Sequence, residues 1–66
     1  MNPLSQLLEA ALFAAPRPIT AEELVTLDPE ASLDEVRAAL EQLREHYDFE
    51  GHGVELVELG GGYQIL

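Results

Sequence analysis

Four residues of metal-binding type fall close together near the middle of the chain. His46, Asp48, Glu50 and His52 occupy every second position of HYDFEGH. A zinc site on a helix needs ligands one turn apart on one face, and a calcium loop needs an acidic frame of about 12 residues. The spacing here fits neither, so the segment reads as a solvated turn and no metal is expected. Gly60-Gly61-Gly62 could suggest a phosphate cradle, but a P-loop continues into Lys, then Ser or Thr, at a helix N-terminus. Tyr63-Gln64-Ile65 follows instead, which makes the glycines a hairpin turn. The carboxylates could supply an acid and a base, yet too little chain surrounds them to build a pocket. No catalytic residue, cofactor or small-molecule substrate is therefore expected, and the chain does not read as an enzyme.

DNA recognition is the sharper alternative. A reading helix places Arg, Lys, Asn or Gln on base edges, and Lys and Arg on phosphates supply most non-specific affinity. The stretch Ser32 to Tyr47, SLDEVRAALEQLREHY, offers Arg37, Gln42 and Arg44 among Asp34, Glu35, Glu41 and Glu45. Residues 55–63, the wing of such a fold, contain no base. The whole chain carries 13 acids against three arginines, a net charge of −10. That field repels phosphate and favours protein partners. A DNA-binding transcriptional regulator remains the alternative reading, but direct DNA binding is not expected.

The elements that position these residues follow from local signals. Asn2 can cap a first helix with Pro3 at its first position, where a missing N–H costs nothing. Leu4, Leu7, Leu8, Ala11 and Leu12 then recur as one apolar stripe. Phe13 falls on the opposite side with Ser5, Gln6 and Glu9. Either the helix ends near Phe13 and the ring folds back, or Phe13 contacts a second protein. Ala14 to Pro18 stops the helix, and Pro18-Ile19 reads as a short extended segment. Thr20 and Glu23 form a capping box for a second helix, with Ile19 and Leu24 placed as a hydrophobic staple. Leu24, Val25 and Leu27 give that helix a short apolar face, and Asp28-Pro29 ends it.

Ser32 and Glu35 form a second capping box. Val36, Leu40, Leu43 and Tyr47 make the core row of the third helix, with Ala39 beside them. Glu41 and Glu45 each lie one turn from Arg37 or Arg44, so intrahelical ion pairs account for the arginines. A turn over residues 48–53 leads to a strand, Val54 to Leu59, then the glycine turn and a return strand, Tyr63 to Leu66. Three helices and a β-hairpin make this an α+β winged helix-turn-helix. VELVEL does not alternate cleanly: Val54 and Leu56 point one way, Val57 and Leu59 the other. Either a bulge switches faces, or both faces are covered.

Sixty-six residues make one small domain, which buries only about 60% of its unfolded surface. There is no cysteine to add a disulfide, so pairing with another protein is the remaining way to gain buried area. Phe13, Val57 and Leu59, the pattern anomalies, are the candidate dimer-interface residues. No apolar run approaches the ~18 residues of a membrane span, and no signal peptide is visible. A cytoplasmic protein is expected. The pattern stops in mid-strand at Leu66, so residues 1–66 are expected to be the N-terminal domain of a longer protein, truncated after the wing.

Two stretches together resemble one family. LLEAALFAAPRPITAEELVTL is similar to the opening of segregation and condensation protein B (ScpB), where an EALLFAS-x-EPL segment precedes a short second helix. ALEQLREHYDFEGHGVELVELGGGYQIL resembles its continuation, where a helix ending in Tyr leads to RGxxLxxxxGGYxL. Leu12-Phe13-Ala14 with Pro18 downstream, then Tyr47, then Gly61-Gly62-Tyr63, carry the resemblance, and Glu9 belongs to it. His52 stands where the family has a basic residue, which weakens any basic role for the wing. The resemblance implies a non-catalytic accessory subunit of the bacterial SMC condensin complex in chromosome condensation and segregation. It also implies homodimerisation through this domain, binding to the kleisin ScpA and through it to SMC, and association with the nucleoid.

Overall fold

The computed structural model describes residues 2–66 of the chain. Helix α1 spans Pro3–Ala14, and the Asn2 side chain caps it by accepting the Ser5 amide proton at 2.8 Å. Ala15 is extended ahead of Pro16, which stops the helix. Leu8 and Leu12 are buried and Leu4 and Ala11 pack beside them, as the stripe predicts, but Leu7 is exposed. Ser5 takes its place, fully buried at 0% exposure. Its hydroxyl lies 3.4 Å from both the Ala39 carbonyl and Gln42 Oε1, either of which accepts its proton. A small side chain with a partner can face the core where a polar one without would be costly, so the buried sector of α1 is turned toward Ser5.

Strand β1 (Ile19–Thr20) leads directly into α2 (Ala21–Val25). The capping box is complete: the Glu23 amide donates to Thr20 Oγ1 at 3.0 Å, and the Thr20 amide donates to Glu23 Oε1 at 3.1 Å. Ile19 and Leu24 both join the core, as a staple requires. The helix ends before Leu27, which is exposed rather than part of an apolar face. Helix α3 (Leu33–Glu50) opens on the second capping box, Ser32 with Glu35. It runs three residues past Tyr47, so the turn expected from Asp48 starts only at Gly51. Asp48-Phe49-Glu50 contains no breaker, and Gly51 is the first residue free to adopt the left-handed cap, φ 66°, with its amide donating to the Tyr47 carbonyl.

The three-stranded antiparallel sheet has the order β1-β3-β2, with β2 at Leu56–Leu59 and β3 at Gly62–Ile65. Glu55 and Leu66 exchange a further pair of backbone hydrogen bonds, each 2.9 Å. Gly60 (φ 57°) and Gly61 (φ 84°) form the two-residue loop, with both central residues at positive φ as a type I′ hairpin turn requires. Gly62 is a strand residue instead of part of the turn. A Cβ there would stand 2.8 Å from the Pro18 Cβ and about as close to backbone atoms of Pro18 and Ile19. The register from Leu56↔Ile65 to Leu59↔Gly62 is continuous, so no bulge explains VELVEL. Leu56, Tyr63 and Ile65 face the core, and Val57 and Leu59 face away from it.

The core joins Leu8 and Leu12 of α1, Ala21 and Leu24 of α2, Val36, Ala39, Leu40, Leu43 and Tyr47 of α3, and Leu56 of β2. This is a winged helix: three helices wrapped on one core, with the hairpin as its wing. The close approach of β3 to Pro18 gives a direct test. Gly62→Ala is expected to cost about 1–3 kcal/mol, because the neighbouring backbone cannot give way. Gly53→Ala, with nothing within 4 Å of its added Cβ, should stay within about 0.5 kcal/mol. Urea unfolding midpoints of the two variants read the difference.

Candidate functional site

Two of the residues of metal-binding type come together. His46 and His52 lie ring against ring, with centroids 4.8 Å apart and planes 34° from parallel. The Tyr47 ring meets His52 edge-on at 5.4 Å. Asp48 is exposed, and the Glu50 side chain lies outside the described residues. Among the described residues, no three His, Asp or Glu side chains are grouped to hold a metal ion. The cluster packs the end of α3 onto the turn that follows it. Tyr47 is its buried member, and its hydroxyl donates to Glu9 Oε2 at 2.5 Å. Burial, and then the bond to the Glu9 carboxylate, push the Tyr47 hydroxyl pKa up from its ordinary value.

The candidate base-reading residues of α3 are largely committed elsewhere. Arg37 reaches Glu22 of α2 at 3.7 Å, rather than an acid of its own helix. Gln42 accepts from the Asn2 side chain at 2.9 Å and stands beside the Ser5 hydroxyl. A further ion pair joins Arg17 to Glu23 at 3.1 Å. The intrahelical pairs that spacing suggests are thus replaced by a contact between helices, which spacing within one helix cannot reveal. Glu23 is held below the usual carboxylate range, first by Arg17 and then by the amide and hydroxyl of Thr20. Asp34, Glu35, Glu41 and Glu45 all face solvent on α3. The helix in the DNA-reading position therefore presents an acidic surface.

The apolar anomalies lie on two elements. Phe13 is 56% exposed near the end of α1 and does not fold back. Val57 is half-buried and Leu59 is 46% exposed, both on the outer face of the sheet. Leu66, 59% exposed, pairs with Glu55 and so shares that face with Val57 and Leu59. The structure thus joins Val57 and Leu59 in one patch, while Phe13 stands on a separate helix. Sequence reasoning passed over Leu66 and also Phe49, which is 93% exposed. Phe49 continues the outer row Ala38, Gln42, Glu45 at helical spacing, a signal hidden once the helix is taken to end at Tyr47.

The comparisons with known proteins agree with this architecture. The profile of a family described as segregation and condensation complex subunit ScpB matches residues 6–66. The chain belongs to the ScpB family. It is 42% identical over 62 residues to segregation and condensation protein B of Syntrophotalea carbinolica, covering 94% of this chain and 31% of that protein. It is 41% identical over 61 residues to the homologue from Coxiella burnetii, covering 88% and 28%. The chain therefore spans about a third or less of the length of these ScpB relatives. A crystal structure of a dimer of an ScpB N-terminal domain complexed with an ScpA peptide superposes with a TM-score of 0.88 at 32% identity. It covers 97% of this chain and 79% of that one. ScpB from Mycobacterium tuberculosis gives 0.86 at 25% identity, over 96% of this chain and 39% of that one.

Glu9 and Tyr47 lie in the two stretches that resemble ScpB, and the hydrogen bond between them ties α1 to α3. Tyr47→Phe is expected to cost about 1 kcal/mol at neutral pH. The hydroxyl is held protonated in the fold, so its contribution is complete below the unfolded pKa near ~10 and is lost as pH rises from there. The stability gap between wild type and Tyr47→Phe should therefore shrink above pH ~10. Urea titrations across that range measure it.

Proposed function

We propose that this chain is the N-terminal winged-helix domain of a longer ScpB, acting as a non-catalytic accessory subunit of the bacterial SMC condensin complex. Two copies pair through this domain, and the dimer presents a fixed platform for the kleisin ScpA, and through it SMC, in chromosome condensation and segregation. The observation that carries this reading is the match, over 97% of the chain, to a solved ScpB domain that is itself a dimer holding an ScpA peptide. A net charge of −10 on 66 residues supports it, since such a domain favours protein partners over phosphate. No helix of the described residues is long and apolar enough to cross a membrane. The proposed location is the cytoplasm, on the nucleoid by way of the SMC complex.

Direct DNA binding is not part of this reading. Arg37 and Gln42 are engaged by Glu22 and Asn2, and the acids of α3 face outward. The exposed apolar side chains of Phe13 and Leu59, with the half-buried Val57, are the proposed dimer contacts. Burying such groups is worth roughly 25 cal/mol per Å² of apolar area, and introducing a carboxylate at two of them leaves it unpaired in the contact. Phe13→Asp combined with Val57→Glu is expected to give a folded monomer in sedimentation velocity, with helical content unchanged by circular dichroism. A dimer of unchanged affinity would remove these residues from the interface. Pull-down with ScpA tests the kleisin, and tight, salt-sensitive binding to duplex DNA in a fluorescence titration would overturn the protein-platform reading.

A further inference from the structure

We propose that the outward face of α3, ending at Phe49, docks a basic segment of another protein that carries an apolar anchor side chain. Phe49 is 93% exposed, more than any other large apolar residue among those described. It is not on a loose tail: it lies in the last turn of an 18-residue helix closed by Gly51. Ala38, Gln42, Glu45 and Phe49 fall in one exposed row, opposite the buried row Val36, Leu40, Leu43 and Tyr47. The start of α1 reaches this row at Gln42, while its end, Glu45 and Phe49, stays exposed. A rigid aromatic side chain loses little freedom on binding, which makes it a good anchor in a contact.

The charge around it selects the occupant. Glu45 and Asp48 line a shallow depression with Phe49, and Glu41 lies one turn before Glu45. A second copy is a poor fit, because a two-fold contact sets the same patch against itself and would place acids against acids. Nucleic acid is repelled for the same reason. A segment with lysine or arginine on both sides of an apolar residue satisfies the ring and the carboxylates together. Its residues are not among the proposed dimer contacts, so it does not rest on them.

The test uses the whole chain, labelled with nitrogen-15, titrated with a synthetic peptide of lysines and leucines at helical spacing. The expected result is amide shifts centred on the last turn of α3. Phe49→Ser should weaken binding about tenfold, and so should Glu45→Gln combined with Asp48→Asn. Both variants change exposed side chains, so the fold is retained and circular dichroism checks it. Unchanged binding by Phe49→Ser would overturn the proposal, since it would reduce the effect to non-specific attraction by net charge. Shifts centred elsewhere, or no binding of the peptide, would overturn it equally. Loss of self-association in Phe49→Ser by sedimentation would do so by assigning the face to a second copy, whereas failure of the dimer variants alone leaves this site standing.

Discussion

The contact between α1 and α3 is the constraint on which the rest of the domain depends. It is fixed at two places by polar groups that a hydrophobic stripe alone would not choose. Near the start of α1, Ser5 sits fully buried against the Ala39 carbonyl and Gln42. One turn further on, Glu9 accepts the Tyr47 hydroxyl proton. Between and beyond them Leu8 and Leu12 meet the α3 core row. Apolar burial drives the two helices together without direction, whereas hydrogen bonds need particular atoms in particular places. The bonds therefore set the rotation of α1 about its axis, and with it which side chains remain outside. Leu7 is exposed because Ser5 and Glu9, on the other side of the helix, are turned toward α3.

That dependence explains what the sequence could and could not reveal. The caps were legible because each is settled within four residues: Asn2 with Ser5, Thr20 with Glu23, Ser32 with Glu35. The core row of α3 was legible because four large apolar residues leave one choice of face. The rotation of α1 was not, because the partners of Ser5 lie more than 30 residues away. Gly62 reads as a turn residue in the sequence for a similar reason. Its two preceding glycines do supply the positive φ values, but the third glycine answers to Pro18 on another strand. The pairing of Arg37 with Glu22 likewise belongs to the packing of α2 on α3. In the candidate interface, the anomalous positions of Phe13, Val57 and Leu59 were readable from periodicity. Leu66 and Phe49 became visible only with the hairpin register and the true end of α3.

Shape and charge point in different directions in this molecule. The winged-helix scaffold places α3 where related architectures read DNA, and its side chains make that surface acidic. The conflict resolves once position and chemistry are treated as separate properties, since a scaffold hosts whatever site its surface residues build. Here the core row supplies rigidity, and the outer surface supplies charge. The acids also narrow the choice of contacts. Faces dense in Glu and Asp suit partners of opposite charge, while contacts between identical copies need apolar area; on the reading proposed above, the outer face of the sheet and the end of α1 supply it.

Size turns that apolar area into a matter of stability as well as recognition. A 66-residue chain without cysteine has, among its described residues, a core of ten buried apolar side chains, close to the lower limit for a domain folding alone. On the reading proposed above, covering Leu59, Val57 and Phe13 with a second copy adds burial that the lone domain lacks. Binding that occurs only in the folded state raises apparent stability by mass action. The thermal midpoint of this chain should then rise with protein concentration, and lose that dependence in the Phe13→Asp, Val57→Glu variant. A midpoint independent of concentration in the wild-type chain would mean that the core from α1, α2, α3 and β2 suffices by itself. The exposed apolar residues would then serve recognition without contributing to the fold.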